Sequence, residues 1–186
     1  GQGNLFFGKV LAQVAFLAGY DDRNILKGET HGMAQMGGPV ISTFGCGEVF
    51  SPALVPGTAN VLIAMEKAEV LRPGFLDLLE PGGTVLMADT RILPHGLKPE
   101  AYPSDEAIAA QLEGYRVVSV DVLSIALNLG DPKGRCANVA MLGVLSTLPP
   151  FDVVPEAVWL QALRGISRKP ALWDLNHAAF MAGRGM

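Results

Sequence analysis

The run Asn60-Val61-Leu62-Ile63-Ala64-Met65 and its successor Thr84-Val85-Leu86-Met87-Ala88-Asp89 decide the fold class. Each is short, apolar and bounded by polar or turn residues, the pattern of a strand covered on both faces. Between them Glu66 to Leu79 reads as a helix, irregular near Pro73-Gly74, and Pro81-Gly82-Gly83 as the turn feeding the second strand. Strand, helix and strand in that order imply a crossover and a parallel pair. Downstream, Ser104-Asp105-Glu106 supplies an N-cap and an acidic first turn for another helix. Tyr115 to Val120 reads as a strand. Val122 to Leu129 and Asn138 to Leu148 read as helices, the second stopped by Pro149-Pro150. Pro155 suits the first turn of a further helix, and the last one is expected over Ala171 to Ala182, capped by Gly183.

Upstream of the deciding stretch, Asn4 to Ala18 reads as a helix whose polar residues Lys9 and Gln13 form one thin stripe. A helix apolar almost all round is buried on most sides. Gly19 is a fitting stop. Arg23 to Lys27 reads as a short strand, residues 28–38 as a loop, and Val40 to Cys46 with Glu48 to Ser51 as a hairpin turning at Gly45-Cys46-Gly47. The expected architecture is α/β: a Rossmann-like layered fold, mostly parallel sheet with a β-hairpin and a helical C-terminal part, in a single domain over residues 1–186.

Composition narrows the function. The net charge of −4 provides no basic footprint for nucleic acid. Charged residues make up 17%, against roughly 25% in ordinary soluble domains, and mean hydropathy is +0.32. So little charge fits a subunit whose apolar surface is covered by partners, or a compact monomer with a plain surface. No apolar run reaches the roughly 20 residues of a membrane span. Cys46 and Cys136 stand far apart and outside any CxxC pair, as expected of small buried hydrophobes in a reducing cytoplasm. They fall short of the four thiolates of an iron–sulfur cluster. His31, His95 and His177 lack metal-ligand spacing.

Two segments carry possible chemistry. Thr30-His31-Gly32-Met33-Ala34-Gln35-Met36-Gly37-Gly38-Pro39 is polar, and its three glycines keep the backbone thin enough for close approach. His31 is a candidate acid–base group, a positioning group at a cofactor or subunit surface, or a structural strut. Gly1-Gln2-Gly3 opens the first helix, where free N–H groups favour anions. It is either a structural turn or a contact for a ligand or partner. In a dinucleotide-binding unit such a turn follows a strand, so a first strand is expected upstream of residue 1. No G-x-S-x-G elbow and no P-loop occur. Trp159 and Trp173 lie on helical patterns and read as packing anchors.

Taken in order, Gly1-Gln2-Gly3, the loop from His31 to Gly38, Ser51-Pro52, Asn60 to Glu66, Pro81 to Val85, Asn138 and Asn176-His177-Ala178-Ala179-Phe180 carry a family resemblance. Over nearly its whole length the chain resembles the gamma subunit, or gamma domain, of 2-oxoacid:ferredoxin oxidoreductases, and most of all the beta subunit of indolepyruvate oxidoreductases, the same domain type. The resemblance implies a complex that converts a 2-oxoacid and coenzyme A to an acyl-CoA, carbon dioxide and reduced acceptor. Thiamine pyrophosphate, magnesium and iron–sulfur clusters would serve the whole complex, with none held by this chain alone. The implied partners are thiamine-binding alpha- and beta-type subunits and a ferredoxin or ferredoxin-like subunit. The implied role is to pack on the thiamine core and help form the coenzyme A side, in the cytoplasm, with an aryl substrate such as indolepyruvate or phenylglyoxylate. The expected binding surface comprises Gly1, Gln2, Gly3, His31, Gly32, Gln35, Gly37 and Gly38, and no catalytic residue is expected. Where the family's loop commonly has arginine before its paired glycines, this chain has Met36, which cannot hold an anion bidentately. Two rival readings are a stand-alone dinucleotide-binding enzyme and a non-catalytic scaffold.

Overall fold

The computed structural model describes residues 3–31, 40–93, 96, 98–167 and 170–186, with Thr30, His31 and Ala171 described through their backbone alone. In chain order the main elements are α1 (Asn4–Leu17), β1 (Ile25–His31), β2 (Val40–Cys46), β3 (Ala59–Ala64), β4 (Leu79–Ala88), α2 (Asp105–Gln111), β5 (Arg116–Val120), α3 (Val122–Asn128), α4 (Ala137–Leu145), α5 (Glu156–Ile166) and α6 (Pro170–Arg184). Contacts divide the chain into two units, Gly1–Ala53 with Ile125–Met186, and Leu54–Ser124.

In the second unit the two apolar runs of the sequence are β3 and β4, and they pair in parallel with β5 beyond, in the order β3-β4-β5. The core beneath them joins Ala64, Val70, Leu79, Val85, Met87, Ile108 and Leu112. The expected helix from Glu66 to Leu79 is absent. Two short 3-10 turns, Lys67–Leu71 and Leu76–Leu78, stand in its place. Pro73 is the reason: the residue before a proline is driven out of the α region, and Arg72 is extended at φ −61°, ψ 131°. Nor is Pro81-Gly82-Gly83 a turn before the strand. It lies inside β4 as an irregularity, at which the register jumps from Ala59↔Leu79 to Val61↔Thr84. Gly82 takes φ +75° there. Ser104 caps α2 as expected, its Oγ accepting the Ala107 N–H at 3.2 Å.

Glu66 organises the segments that follow β3 and β4. It is 7% exposed. Its Oε2 accepts the Glu69 N–H at 3.1 Å, and its Oε1 accepts the Ile92 N–H at 3.3 Å and the Tyr102 hydroxyl. Beside it Lys67 Nζ joins Asp89 at 2.5 Å and Asp105 at 3.0 Å, and Arg91 joins Asp105 at 2.6 Å.

In the first unit the hairpin differs from expectation. Val40–Cys46 pairs antiparallel with Ile25–His31, from Ile25↔Cys46 to His31↔Val40. Residues 48–51 form no strand. The seven-residue match of β1 to β2 outcompetes the shorter pairing, and Pro52 cannot donate to a ladder. The segment instead folds back so that the Pro52 carbonyl accepts the Thr43 hydroxyl at 2.7 Å.

The C-terminal helices pack backbone to backbone. A Cβ on Gly143 would overlap the Phe180 carbonyl, and one on Gly183 would overlap the Ala140 carbonyl. Gly183 therefore serves the α4–α6 contact and does not end the helix, which runs on to Arg184. Trp159, Phe180, Met141, Leu142, Leu145 and Leu163 are fully buried around that contact. Arg184 then ties the ends together, through Nε to Glu156 at 3.0 Å and Nη1 to Ser146 Oγ at 2.7 Å.

Candidate functional site

The start of α1 is built by Gly3. It is the N-cap at φ 90°, ψ 17°, a left-handed conformation that favours glycine. Its carbonyl accepts the N–H groups of Phe6 and Phe7 at 2.8 and 3.1 Å. No side chain caps the helix, and no acidic residue stands in its first turn. A Cβ on Gly3 would collide with the side-chain amide of Asn138 on α4, so the glycine lets that amide reach the helix start.

Asn4, one residue on, points its Nδ2 to the Val40 carbonyl at 2.6 Å. Val40 pairs with His31, and these two close the base of the segment 32–39. Thus the helix start and the base of the glycine-bearing segment, 36 residues apart, are held together by one hydrogen bond. Of the sequence-predicted surface, Gly3 lies at this junction. The His31 backbone ends β1 rather than sitting in a loop, and its side chain lies outside the described set. Gly1, Gln2, Gly32, Gln35, Gly37 and Gly38 also lie outside the described residues.

Asn138 was legible only as part of an ordered motif, not as a site residue. Its Oδ1 is buried and has no hydrogen-bond partner. It lines a cavity of about 390 Å³ together with Phe6, Asp131, Arg135, Cys136 and Leu172, among others. Asp131 shapes one wall. Burial acts to raise its carboxyl, but the N–H groups of Cys136, Lys133 and Arg135 outweigh that and hold it below the usual carboxylate range. Its Oδ2 accepts the Cys136 N–H at 2.8 Å. An aspartate just before a proline and a glycine-containing turn is the signal that could have marked this cap.

Cys136 is 1% exposed. Burial, then the negative charge of Asp131, push its thiol up to about 11. It is a packed, protonated thiol and not a nucleophile. At pH 8 iodoacetamide is expected to modify it about 100-fold more slowly in the native chain than in urea-unfolded chain, by peptide mass spectrometry, since each unit of pKa is tenfold in thiolate. Equal rates in the two states would show that the thiol is open.

Among the described residues no group of three or more His, Cys, Asp or Glu side chains could hold a metal ion. The two cysteines do not suit a cluster that needs four thiolates. No helix among the described residues is long and apolar enough to cross a membrane.

Residues 1–186 match the family described as pyruvate ferredoxin/flavodoxin oxidoreductase. The chain belongs to this family. Two relatives of this oxidoreductase chain are indolepyruvate oxidoreductase subunits IorB. The one from Archaeoglobus fulgidus is 34% identical over 191 residues, covering 98% of this chain and 89% of the relative. The one from Methanothermobacter thermautotrophicus is 30% identical over 168 residues, covering 88% and 83%. The crystal structure of a keto/oxoacid ferredoxin oxidoreductase gamma subunit from Geobacter sulfurreducens superposes with a TM-score of 0.64 at 22% identity, covering 98% of this chain and 90% of that one. At that identity the likeness speaks for the fold, which is the mixed α/β architecture expected from the sequence.

Proposed function

We propose that this oxidoreductase chain is the gamma-type subunit of a thiamine-dependent complex that oxidatively decarboxylates a 2-oxoacid. In that reaction the 2-oxoacid and coenzyme A yield acyl-CoA and carbon dioxide, and two electrons pass one at a time to a ferredoxin-type acceptor. Thiamine pyrophosphate on a partner subunit supplies the stabilised carbanion chemistry. This chain packs on that core and forms part of the coenzyme A side through Gly1, Gln2, Gly3, His31, Gly32, Gln35, Gly37 and Gly38. Residues 1–186 act as one gamma-type domain, and the substrate is an aryl 2-oxoacid.

The observation that carries this reading is the Asn4–Val40 hydrogen bond. It ties the uncapped start of α1 to the first residue of β2, which follows the glycine-bearing segment in the chain. The full-length family match supports the assignment, and the relatives' designation as subunits supports a multi-chain assembly. In this reading the redox groups sit on partner subunits, and the chain's contribution is positional.

The test is to purify the chain from its native host through an affinity tag. The expected result is co-purification of larger subunits containing thiamine pyrophosphate, iron and acid-labile sulfide, with coenzyme A-dependent reduction of methyl viologen by an aryl 2-oxoacid. Recovery of a monomer that binds nicotinamide nucleotides at micromolar concentration, without thiamine or iron, would overturn it in favour of a self-sufficient dinucleotide enzyme.

A further inference from the structure

The parallel sheet ends on β5, and among the described residues no strand pairs with its outer edge. On the inner side it pairs with β4, from Thr84↔Arg116 to Ala88↔Val120. The other outer strand, β3, exposes only Asn60, whereas β5 exposes Arg116, Val117 and Ser119. Val117 is 42% exposed, and Leu123 just beyond the strand is 40% exposed. An open edge presents a row of unpaired N–H and C=O groups, and chains that keep such an edge free blunt it with proline, a charge or a bulge. Val117-Val118-Ser119-Val120 has no proline and no charge, and its pairing with β4 runs without a register shift. The charges stand at the two ends instead. Arg116 opens the strand, is exposed and has no ion-pair partner among the described residues. Asp121 follows the last residue of the strand. The Ser124 hydroxyl at 2.6 Å and N–H at 2.9 Å hold its carboxyl below the usual range, so it stays ionised.

We infer that the β5 edge binds β5 of a second copy of this chain, antiparallel, about a two-fold axis at Val118. The two sheets then join as one, with the two β5 strands at its centre. The charges select this occupant and this direction. Antiparallel pairing sets Arg116 opposite Val120 of the second copy and beside its Asp121, and symmetry makes that contact twice. Parallel pairing would set Arg116 against Arg116 and Asp121 against Asp121, and like charges across strands are destabilising. In the antiparallel register Val117 stands opposite Ser119 of the second copy on the same face, which covers both exposed residues. An antiparallel strand added to the edge of a parallel sheet is a common arrangement. The two-fold also closes the contact, so pairing stops at two copies and does not run on into a fibre. The inference goes beyond the proposed function and does not depend on it, because the edge belongs to this chain alone.

Sedimentation equilibrium of the full chain should give twice the 19.6 kDa of one copy at loadings up to about 100 μM, a range that covers the affinities of small interfaces. Val117→Lys puts a charge on the inner edge and should weaken the dimer about tenfold or more, with an unchanged circular dichroism spectrum because the side chain is exposed. Arg116→Glu sets two carboxylates side by side and should also weaken it, by a factor that shrinks in high salt. Cysteine cross-linking with copper phenanthroline reads the register. Val118→Cys faces its own copy and should form a disulfide between chains. Ser119→Cys faces Val117, which separates the two thiols along the strands beyond the roughly 7 Å limit between Cα atoms, so it should not link. A chain that stays monomeric over the whole range would overturn the inference, and so would equal cross-linking of the two cysteine variants. A monomeric chain whose Val117→Lys variant loses a thiamine-containing subunit would overturn it in favour of an unlike partner on that edge. A dimer in a chain that co-purifies with no other subunit would uphold it while the subunit reading fails.

Discussion

Replacing Gly183 by alanine is expected to cost about 3 kcal/mol or more, a large share of a domain stability of about 5–15 kcal/mol. The added Cβ would overlap the Ala140 carbonyl oxygen and stand 2.7 Å from its carbonyl carbon. Backbone cannot move aside as the end of a flexible side chain can. Gly143→Ala should behave alike, because its Cβ would meet the Phe180 carbonyl and lie 2.8 Å from the Arg184 nitrogen. Gly165→Ala is the control. That glycine lies within α5 with nothing inside 4 Å of the added carbon, so alanine should stabilise by about 1 kcal/mol through helix propensity. Urea denaturation followed by circular dichroism measures all three. If Gly183→Ala lost no more than a few tenths of a kcal/mol, the close α4–α6 approach would be refuted.

Glu66→Ala should be the comparable loss in the second unit, about 3 kcal/mol. The carboxylate receives the Glu69 and Ile92 N–H groups and the Tyr102 hydroxyl. Alanine would strand three donors and release the segment between β4 and α2. A second readout separates this from general loosening. Burial, followed by the hydrogen bond and charge of Glu66, pushes the Tyr102 phenol well above its usual range. Removing the carboxylate should bring the tyrosine ionisation down to lower pH in an alkaline absorbance titration. A folded Glu66→Ala chain with an unchanged Tyr102 titration would show that the two groups are not coupled.

The fold was legible where local chemistry and tertiary structure ask for the same thing. The apolar runs of β3 and β4, the Ser104 cap of α2, Pro155 before α5 and the all-apolar α1 carry their own signals. The helix read over Glu66 to Leu79 failed because apolar spacing resembles a helix while Pro73 vetoes the α conformation at Arg72. The hairpin failed differently. Gly45-Cys46-Gly47 looks like a turn, but the partner of β2 is β1, across eight intervening residues that no two-residue turn signal bridges. The candidate site was only partly legible. Gly3 announces itself as a glycine before a helix, whereas Asn138 looks like any helix-surface asparagine until α4 brings it against Gly3.

The amino-acid order alone determined the α/β class, the parallel strand pair and membership in a 2-oxoacid oxidoreductase family. These follow from period, turn chemistry and ordered motifs, which are properties of short segments. Only the tertiary structure decided which strand completes the hairpin, that Gly183 is a packing surface and not a helix stop, and that Asn138, Arg135 and Phe6 share one cavity. Such facts depend on contacts between segments distant in the chain, and a side chain's environment there is set by what the rest of the fold carries up to it.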